Sequence, residues 1–172
     1  VTGVQTCALP ISTNGGKAIR FAENTIRSTG RKTMGVRGIS MSFSDDFVVG
    51  MLVVKRDGSI LAATDKGYGK RTDVEAYRTQ NRGGKGVYTI KCNDKIGKLV
   101  TIMEVVDTDD IMIITDQGIM IRQPVESINV IGRNTQGVRL LKLDDGAKIS
   151  TITKVLKDDD DGEDEPGEVT EE

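Results

Sequence analysis

The chain has 172 residues, with 24 Lys and Arg, 26 Asp and Glu, and no His. The lack of His excludes Ser-His-Asp and Cys-His catalysis and all His metal ligands, and two Cys supply neither a zinc site nor a disulfide framework. Aromatic residues make up 3% of the sequence, without Trp, and no apolar run reaches the about 18 residues of a membrane span. These features favour an intracellular protein in a reducing compartment.

An internal repeat with a period of 51 residues runs through the sequence. Residues 14–39 and residues 116–141 share ten identities in 26 positions. Repeats of about 20–50 residues are typical of solenoids and propellers, so we expect equivalent residues to occupy equivalent places in successive units. The columns that recur in all three units are Gly16, Gly67 and Gly118; Arg20, Arg71 and Arg122; Arg31, Arg82 and Arg133; and Gly35-Val36, Gly86-Val87 and Gly137-Val138.

The first twelve residues do not match the strands that open the other units. Pro10 stands where Leu61 and Met112 stand, and proline is disfavoured in the middle of a strand. We therefore predict no strand before Thr13 and interpret residues 1–12 as a foreign leader, similar to a translated adapter sequence. On this interpretation the chain is the C-terminal part of a longer protein. The alternative is a divergent native strand.

Short apolar and β-branched runs, separated by turns that contain Gly or acidic residues, predict the strands of each unit. In chain order these strands are 48–54, 60–64, 87–91, 99–106, 111–115 and 119–122. No segment has an apolar stripe of 3.6-residue period long enough for a confident helix. Four short strands in each repeat of roughly 50 residues are typical of propeller blades, so we predict an all-β fold of about three blades over residues 13–156.

The charge is divided between a basic body and an acidic end. Residues 148–152 begin a fourth unit that matches residues 98–102, and residues 157–172 then hold ten acidic residues and one Lys. Residues 1–156 carry 23 basic against 16 acidic residues, a net charge of +7. A basic body predicts a polyanionic partner. We expect the tail to be disordered and solubilising, with the further hypothesis that it competes with this polyanionic partner for the body.

The positive charge is concentrated in the third strand and the following connection of each unit. Residues 16–39 carry six basic residues and one acid, residues 66–91 seven and two, and residues 117–142 four and one. Since the repeat places these segments equivalently, we predict a basic stripe along one rim of the blades. For each single Arg the alternative is a structural role, in which it caps a strand end or pairs with an acid of its blade.

A repeated basic rim with few aromatic residues suits the phosphate backbone of duplex DNA better than single strands, which are bound by aromatic stacking. Phosphate contacts set affinity but not sequence, so we predict sequence-tolerant binding that weakens with salt. No catalytic or metal-binding residue is predicted. The predicted DNA-binding residues are Arg20, Arg31, Lys32, Arg37, Lys70, Arg71, Arg78, Arg82, Gly83, Gly84, Lys85, Arg122, Arg133 and Arg139.

The densest candidate site is the loop Gln-Asn-Arg-Gly-Gly-Lys-Gly at residues 80–86. Its three glycines allow close approach of the backbone to an anion, and Arg82 and Lys85 supply charge. The loop is not a nucleotide P-loop, because Gly86 stands where Ser or Thr would reach Mg²⁺. The alternative is a tight, flexible connector.

Four motifs carry a resemblance to a known family: Gly-Lys-Ala-Ile-Arg-Phe at 16–21, the Gly-Arg to Gly-Ile run at 30–39, Gly-Tyr-Gly-Lys-Arg-Thr at 67–72 and Gly-Arg-Asn-Thr-Gln-Gly-Val-Arg at 132–139. Together with the acidic end they make about residues 13–172 resemble the C-terminal domain of the A subunit of bacterial DNA gyrase, a type IIA topoisomerase. The family's hallmark heptad is Gln-Arg-Arg-Gly-Gly-Lys-Gly. Residues 80–86 match it except at Asn81, where Arg is expected. The hallmark normally lies on the first blade of the family, whereas this copy is followed by only one more full repeat, so we interpret it as a related blade loop.

The resemblance implies a β-pinwheel, a propeller-like ring of about six blades that exchange strands, of which this chain would hold a partial ring. It implies that DNA wraps around the rim and that gyrase thereby introduces negative supercoils. The catalytic tyrosine belongs to a separate breakage-reunion domain, and ATP and Mg²⁺ act in other parts of the parent enzyme, so we expect no catalysis and no cofactor here. The implied partners are double-stranded DNA and the rest of the gyrase A and B subunits in an A2B2 heterotetramer, in the bacterial cytoplasm at the nucleoid, with no membrane.

Two other functions remain open at this point. The equivalent domain of topoisomerase IV would have the same fold but grip crossing DNA segments and wrap them poorly. A protein-interaction propeller would instead use the basic rim to bind an acidic partner.

Overall fold

The computed structural model describes residues 8–54 and 58–155, and within them the chain forms three antiparallel sheets. We call these sheets blades 1, 2 and 3. Blade 1 contains β1 (Ala8–Thr13), β2 (Lys17–Ala22), β3 (Val48–Met51) and β6 (Val87–Tyr88). Blade 2 contains β4 (Ser59–Thr64), β5 (Tyr68–Asp73), β7 (Leu99–Val105) and β10 (Val138–Arg139). Blade 3 contains β8 (Asp110–Thr115), β9 (Met120–Pro124) and β11 (Ile149–Val155).

A tight hairpin forms the centre of each blade. In blade 2, Gly67 has a φ of 81°, in the left-handed region that glycine adopts without strain, and its N–H donates to the carbonyl of Thr64 at 3.2 Å. The turn sets the register of β4 and β5, in which Leu61 lies opposite Arg71. After each hairpin the chain forms a short 3-10 turn, at Glu23–Thr25, Val74–Ala76 and Val125–Ser127.

The apolar core lies between neighbouring blades, and β4 shows why. Ile60 and Ala62 contact the cluster shared with blade 1, whereas Leu61 and Ala63 contact the cluster shared with blade 3. Since successive side chains of a strand point to opposite faces, a strand that is covered on both faces is a continuous apolar run rather than an alternating one. Burial on both faces therefore explains the run at 60–64.

The blades exchange strands, and each exchanged strand comes from the following repeat. Strand β6 lies after the hairpin of blade 2 in the sequence, yet it pairs with β2, with Tyr88 opposite Lys17 and Val87 opposite Ala18. Strand β10 pairs in the same way with β5 of blade 2. Blades 1 and 2 are therefore each completed by the repeat that follows them, as the resemblance to a pinwheel implies.

The predicted fold class is confirmed. The regular secondary structure of the described residues consists of β-strands and short 3-10 turns, and the blades recur at the predicted period. Two blades have four strands and blade 3 has three. The predicted strands at 119–122 and 87–91 correspond to β9 and β6, and β6 is only two residues long.

The prediction that no strand precedes Thr13 was wrong for residues 8–12, which form most of β1. Pro10 fits there because, in an antiparallel strand, the N–H and the C=O of any one residue point to the same neighbouring strand. Its carbonyl accepts a bond from Leu52 N–H at 3.0 Å, on the side of β3, and β3 ends one residue earlier, at Met51. The N–H that proline lacks would point toward β3, where the pairing of β1 with β3 ends. On the other side of β1, Pro10 still lies opposite Arg20 of β2.

Two predictions concern residues outside the described part of the chain. The disordered acidic tail, residues 157–172, lies entirely outside it, as do residues 1–7 of the proposed leader. The foreign origin of residues 1–12 stays a prediction.

The exchanged strand gives a stability prediction. Gly137 has a φ of 80°, and a Cβ at this position would lie 2.6 Å from the carbonyl oxygen of Gly69. Gly146 has a φ of 83° but no atom within 4 Å of the same point. We expect Gly137→Ala to lower the free energy of unfolding by clearly more than Gly146→Ala, which should cost about 1 kcal/mol for the backbone conformation alone. Urea unfolding of the two variants measures the difference, and equal losses would contradict the close approach of β10 to β5.

Candidate nucleic-acid interface

The glycine-rich loop at residues 80–86 lies against the connection that follows the first hairpin. Gly83 N–H donates to the carbonyl of Gly38 at 2.6 Å, and Gly84 accepts from Ser40 N–H at 2.9 Å. A Cβ on Gly84 would stand 3.4 Å from Cδ1 of Ile19, so the loop packs directly on that side chain. The glycines therefore serve close packing of the loop on blade 1.

This packing presents charge at the surface. Arg82 is exposed and its Nη1 donates to the carbonyl of Arg37 at 3.4 Å. Arg37 and Lys85 are also exposed. Backbone contacts thus bring the Arg82 loop and the Arg37 segment, which are far apart in sequence, onto one surface.

The loop at residues 131–137 repeats this arrangement one blade further on. Arg133 Nη1 donates to the carbonyl of Tyr88 at 3.2 Å, and Lys91 N–H donates to the carbonyl of Thr135 at 3.2 Å. These contacts are the contacts of Arg82 and Ser40 shifted by 51 residues at both partners. Arg82 and Arg133 therefore occupy equivalent places on successive blades, as the repeat predicts.

Arg71 is buried between blades 2 and 3, so the prediction that it lines the rim was wrong. Its side chain is buried, and Nη1 donates to the carbonyls of Val125 and Ile128 in the following repeat at 3.0 and 3.3 Å. Nε donates to Ser59 Oγ at 2.9 Å, and Nη2 pairs with Asp107. The guanidinium, which has five fixed donors, is occupied by the 3-10 turn of blade 3.

Arg20 makes the same contact one blade earlier. Its Nη1 donates to the carbonyls of Val74 and Tyr77 at 3.0 and 3.2 Å, and its Nη2 pairs with Glu75. The side chain is largely buried, so the structural role that the sequence left open is the one observed. Arg122, the third member of this column, is half exposed and pairs with Asp110 of its own blade at 2.7 Å.

Lys70 is also not part of the surface. It is fully buried, and its Nζ donates to the carbonyls of Gly132 and Arg133 and to the Thr135 carbonyl and Oγ1. Burial, assisted by the nearby charge of Arg133, lowers the pKa of Lys70 to about 8. The lysine acts as an anchor beneath the loop at 131–137, whereas Ile19 fills the equivalent place beneath the loop at 80–86.

The predicted residues that remain at the surface define a candidate basic rim. The exposed members are Arg31, Lys32, Arg37, Arg78, Arg82, Lys85, Arg122 and Arg139, of which Arg122 is paired with Asp110, and Arg133 is half-buried. Gly83 and Gly84 are half-buried backbone supports of the loop.

A cleft between turns of blades 2 and 3 adds cations that sequence reasoning did not select. It has a volume of about 610 Å³, and Arg139 lies in it together with Lys66, Lys95, Lys142 and Lys148 and the acids Asp144 and Asp145. Arg139 also covers the Tyr68 ring, with 5.5 Å from Cζ to the ring centre, and its hydrogen bond to the phenol lowers the pKa of Tyr68. The lysines come from separate turns, so their only sequence signal is the local excess of positive charge.

Metal-ligand clusters and membrane-spanning helices are both absent from the described ranges. Within residues 8–54 and 58–155, no group of three or more Cys, Asp or Glu is placed to hold a metal ion. Over the same ranges, no helix has the length and hydropathy to cross a membrane.

A family model described as DNA gyrase C-terminal domain, beta-propeller, matches residues 11–55, 58–105 and 109–155. The chain belongs to this family. The DNA gyrase A subunit of Haemophilus influenzae is 38% identical over 173 residues, which cover 85% of this chain and 20% of that protein. The DNA gyrase A subunit of Escherichia coli K12 is 43% identical over 142 residues, or 83% of this chain and 16% of that protein. The chain thus spans about a fifth or less of the length of these relatives.

Solved structures of the family have the same fold. A structure of the DNA gyrase A C-terminal domain superimposes with a TM-score of 0.77 at 25% identity and covers 88% of this chain and 52% of that chain. The C-terminal domain of DNA topoisomerase IV superimposes with a TM-score of 0.80 at 22% identity, over 87% of this chain and 47% of that chain.

The buried lysine predicts an unusual pH dependence. The folded pKa of about 8 lies below the ordinary value of 10.5, so between these values the unfolded chain binds more protons and stability increases with pH. We expect the unfolding free energy of the unsubstituted chain to rise between pH 8 and pH 10, relative to that of the Lys70→Met variant. Urea titrations at several pH values measure this, with Lys91→Met as a control that removes an exposed ammonium. The same pH dependence in both variants would contradict the buried charge.

Proposed function

We propose that this chain is a duplex-DNA-binding element of a gyrase A subunit, and that its basic rim guides the wrapping that supports negative supercoiling. The observation that carries the proposal is the equivalent placement of Arg82 and Arg133 on successive blades. Cations that are placed equivalently on successive blades can contact phosphates at successive points along a duplex. The family membership and the relatives named as the A subunit of DNA gyrase support the same function.

The rim fits a sequence-tolerant mode of binding. Its exposed groups are Arg and Lys side chains, which contact phosphates, and the rings of Tyr68 and Tyr88 lie beneath cations. Cations that neutralise phosphates release condensed counterions, so affinity should fall with the logarithm of the salt concentration. Bending of the duplex would follow from the change in direction between blades.

The remaining partners follow from the same proposal. The rest of the A subunit would supply DNA cleavage, and the B subunit would supply ATP and Mg²⁺ chemistry, in an A2B2 heterotetramer at the bacterial nucleoid. Within this arrangement the chain itself binds DNA and performs no chemical step.

The loop at residues 80–86 provides the direct test of the interface. Replacing Arg82 and Lys85 together with Ala removes two exposed cations, so we expect weaker binding by a similar factor on unrelated duplexes. The salt dependence should also become shallower by about 1.8 in the slope of log K against log salt, since each lost phosphate contact contributes about 0.9. Fluorescence anisotropy over a series of salt concentrations measures both quantities.

The matched control removes two lysines that aspartates already neutralise. Lys98 and Lys154 lie 3.2 and 3.9 Å from Asp45 and Asp109, respectively, and neither lines the cleft that holds Arg139. The Lys98→Ala and Lys154→Ala double variant has the same net charge as the Arg82 and Lys85 variant and should bind DNA more tightly than that variant does. Equal losses in the two variants would mean that overall charge, and not the loop, determines binding.

Topoisomerase IV is the second candidate, because its C-terminal domain superimposes well on this chain. The two candidates differ in whether bound DNA is wrapped. Ligation of a nicked plasmid in the presence of increasing amounts of the chain should trap topoisomers whose linking number shifts in one direction if the rim wraps DNA. Binding without such a shift would favour the gripping function of topoisomerase IV.

A further inference from the structure

Two equivalent clefts open between the hairpin turns of neighbouring blades. The first cleft lies between blades 1 and 2 and has a volume of about 310 Å³. The second, which we call the basic cleft, lies between blades 2 and 3 and has a volume of about 610 Å³. Four lining positions of the first cleft recur in the basic cleft after a shift of 51, from Gly15, Asn93, Asp94 and Gly97 to Lys66, Asp144, Asp145 and Lys148.

The two clefts differ in charge. The first cleft is lined by two cations and two acids, so the net charge of its lining is zero. The basic cleft is lined by five cations and two acids, a net charge of +3. Its cations are Lys66, Lys95, Arg139, Lys142 and Lys148. Four of them stand where the preceding repeat has an uncharged residue, namely Gly15, Ser44, Tyr88 and Gly97.

The fold itself does not require this excess of cations, because both clefts are built by the same backbone contacts. The carbonyl of Gly16 accepts the N–H of Thr89 at 2.9 Å, and the carbonyl of Gly67 accepts the N–H of Leu140 at 2.8 Å. Leu99 N–H likewise donates to the carbonyl of Asn14, and the equivalent Ile149 N–H donates to the carbonyl of Asp65. The first cleft forms these contacts without the additional charges, so the scaffold does not explain them.

The cations of the basic cleft are available to a ligand. All five are exposed. Lys66 Nζ donates to the carbonyl of Asp94, and Lys148 lies 3.9 Å from Asp65. Within residues 8–54 and 58–155, Lys95 and Lys142 form no ion pair. Five exposed cations around one cleft repel one another, and an anion bound between them would relieve that repulsion.

The basic cleft is continuous with the candidate basic rim, because one segment of the chain carries cations of both. Residues 131–142 run along β5 from its end to its turn: Ile131 N–H donates to the carbonyl of Arg71, and Leu140 N–H donates to the carbonyl of Gly67. Arg133 lies near one end of this segment. Arg139 and Lys142 lie at the other end, in the cleft.

We propose that the basic cleft binds the phosphate backbone of the same duplex that the rim binds. The duplex then crosses blade 2 from the loop at 131–137 to the junction of blades 2 and 3, and it passes the uncharged junction of blades 1 and 2 without an equivalent contact. Lysine ammonium groups bind phosphates as point charges and do not read bases. This inference rests on the duplex-binding function proposed above and adds a second place of contact, at one junction of the blades.

The test replaces Lys95 and Lys142, the two cations without an ion pair in the described part of the chain. We expect the Lys95→Ala and Lys142→Ala double variant of the complete chain to bind unrelated duplexes more weakly by a similar factor. The slope of log K against log salt should become shallower by about 1.8, since each lost phosphate contact contributes about 0.9. Fluorescence anisotropy over a series of salt concentrations measures both quantities.

The matched control is the Lys98→Ala and Lys154→Ala variant, which has the same net charge. Lys98 lines the first cleft, where it pairs with Asp45. The control should therefore keep a slope close to that of the unsubstituted chain. Equal losses in the two variants would mean that overall charge determines binding, and would overturn the proposal.

Combining the substitutions at Lys95 and Lys142 with Arg82→Ala and Lys85→Ala tests whether one duplex contacts both places. The two reductions of the slope should add to about 3.6, because the loop and the cleft would contact the same molecule. Weaker binding in the Arg82 and Lys85 variant together with unchanged binding in the Lys95 and Lys142 variant would overturn the cleft contact and leave the proposed function intact. An unsubstituted chain that binds no duplex would overturn both.

Tripolyphosphate serves as a probe for a different source of phosphate, and isothermal titration calorimetry measures its binding. If the Lys95 and Lys142 variant loses tripolyphosphate binding while its affinity for DNA is unchanged, the cleft is a site for a free oligophosphate and the proposal is overturned. A loss of both, with neither lost in the control, is the result that the proposal predicts.

Discussion

The architecture depends on one contact, in which the guanidinium of a blade binds backbone carbonyls of the next repeat, and the contact is present in blades 1 and 2. Arg20 reaches Val74 and Tyr77, and Arg71 reaches Val125 and Ile128. The carbonyls of Val74 and Val125 also accept N–H groups within their 3-10 turns, from Tyr77 and Ile128 at 3.0 Å, so each arginine is a second donor that ties the turn to the preceding blade. Arginine suits this place because its planar fork presents several donors to fixed acceptors at once.

This contact determines which arginines are free to bind a ligand. Within each repeat, Arg20 and Arg31 begin two columns eleven residues apart, and the columns have different roles. Arg20 and Arg71 of the first column join the blades, whereas Arg82 and Arg133 of the Arg31 column lie on the loops at the surface. The regular placement of the surface column is a consequence of the buried one, because blades joined by identical contacts repeat every loop in the same orientation.

The sequence predicted the fold well because the signals for strands and turns are local. The apolar run at 60–64, the turn at Gly67 and the period of 51 are each visible without tertiary information. The sequence could not predict depth of burial, since a period shows that Arg20 and Arg71 are equivalent but not that both are inside. Lys70 was misassigned for the same reason: a lysine beside a buried arginine in a basic segment has no sequence signal of the carbonyls that surround it. Pro10 led to a wrong prediction for another reason. A proline is tolerated in a strand where the neighbouring strand that its N–H would face ends, and the sequence does not show where that strand ends.

Lys70 also shows that equivalent loops of successive blades are supported by different side chains. The loop at 80–86 rests on the apolar side chain of Ile19 through Gly84, whereas the equivalent loop at 131–137 is held by a buried ammonium that binds its carbonyls. An apolar support needs a glycine above it for close packing, and residues 83–84 are both glycine. A carbonyl-binding support needs no such glycine, and Asn134 and Thr135 occupy the same places in the second loop. The two loops therefore reach equivalent positions by different physical means, so the scaffold can repeat while the chemistry that each blade presents to a ligand changes.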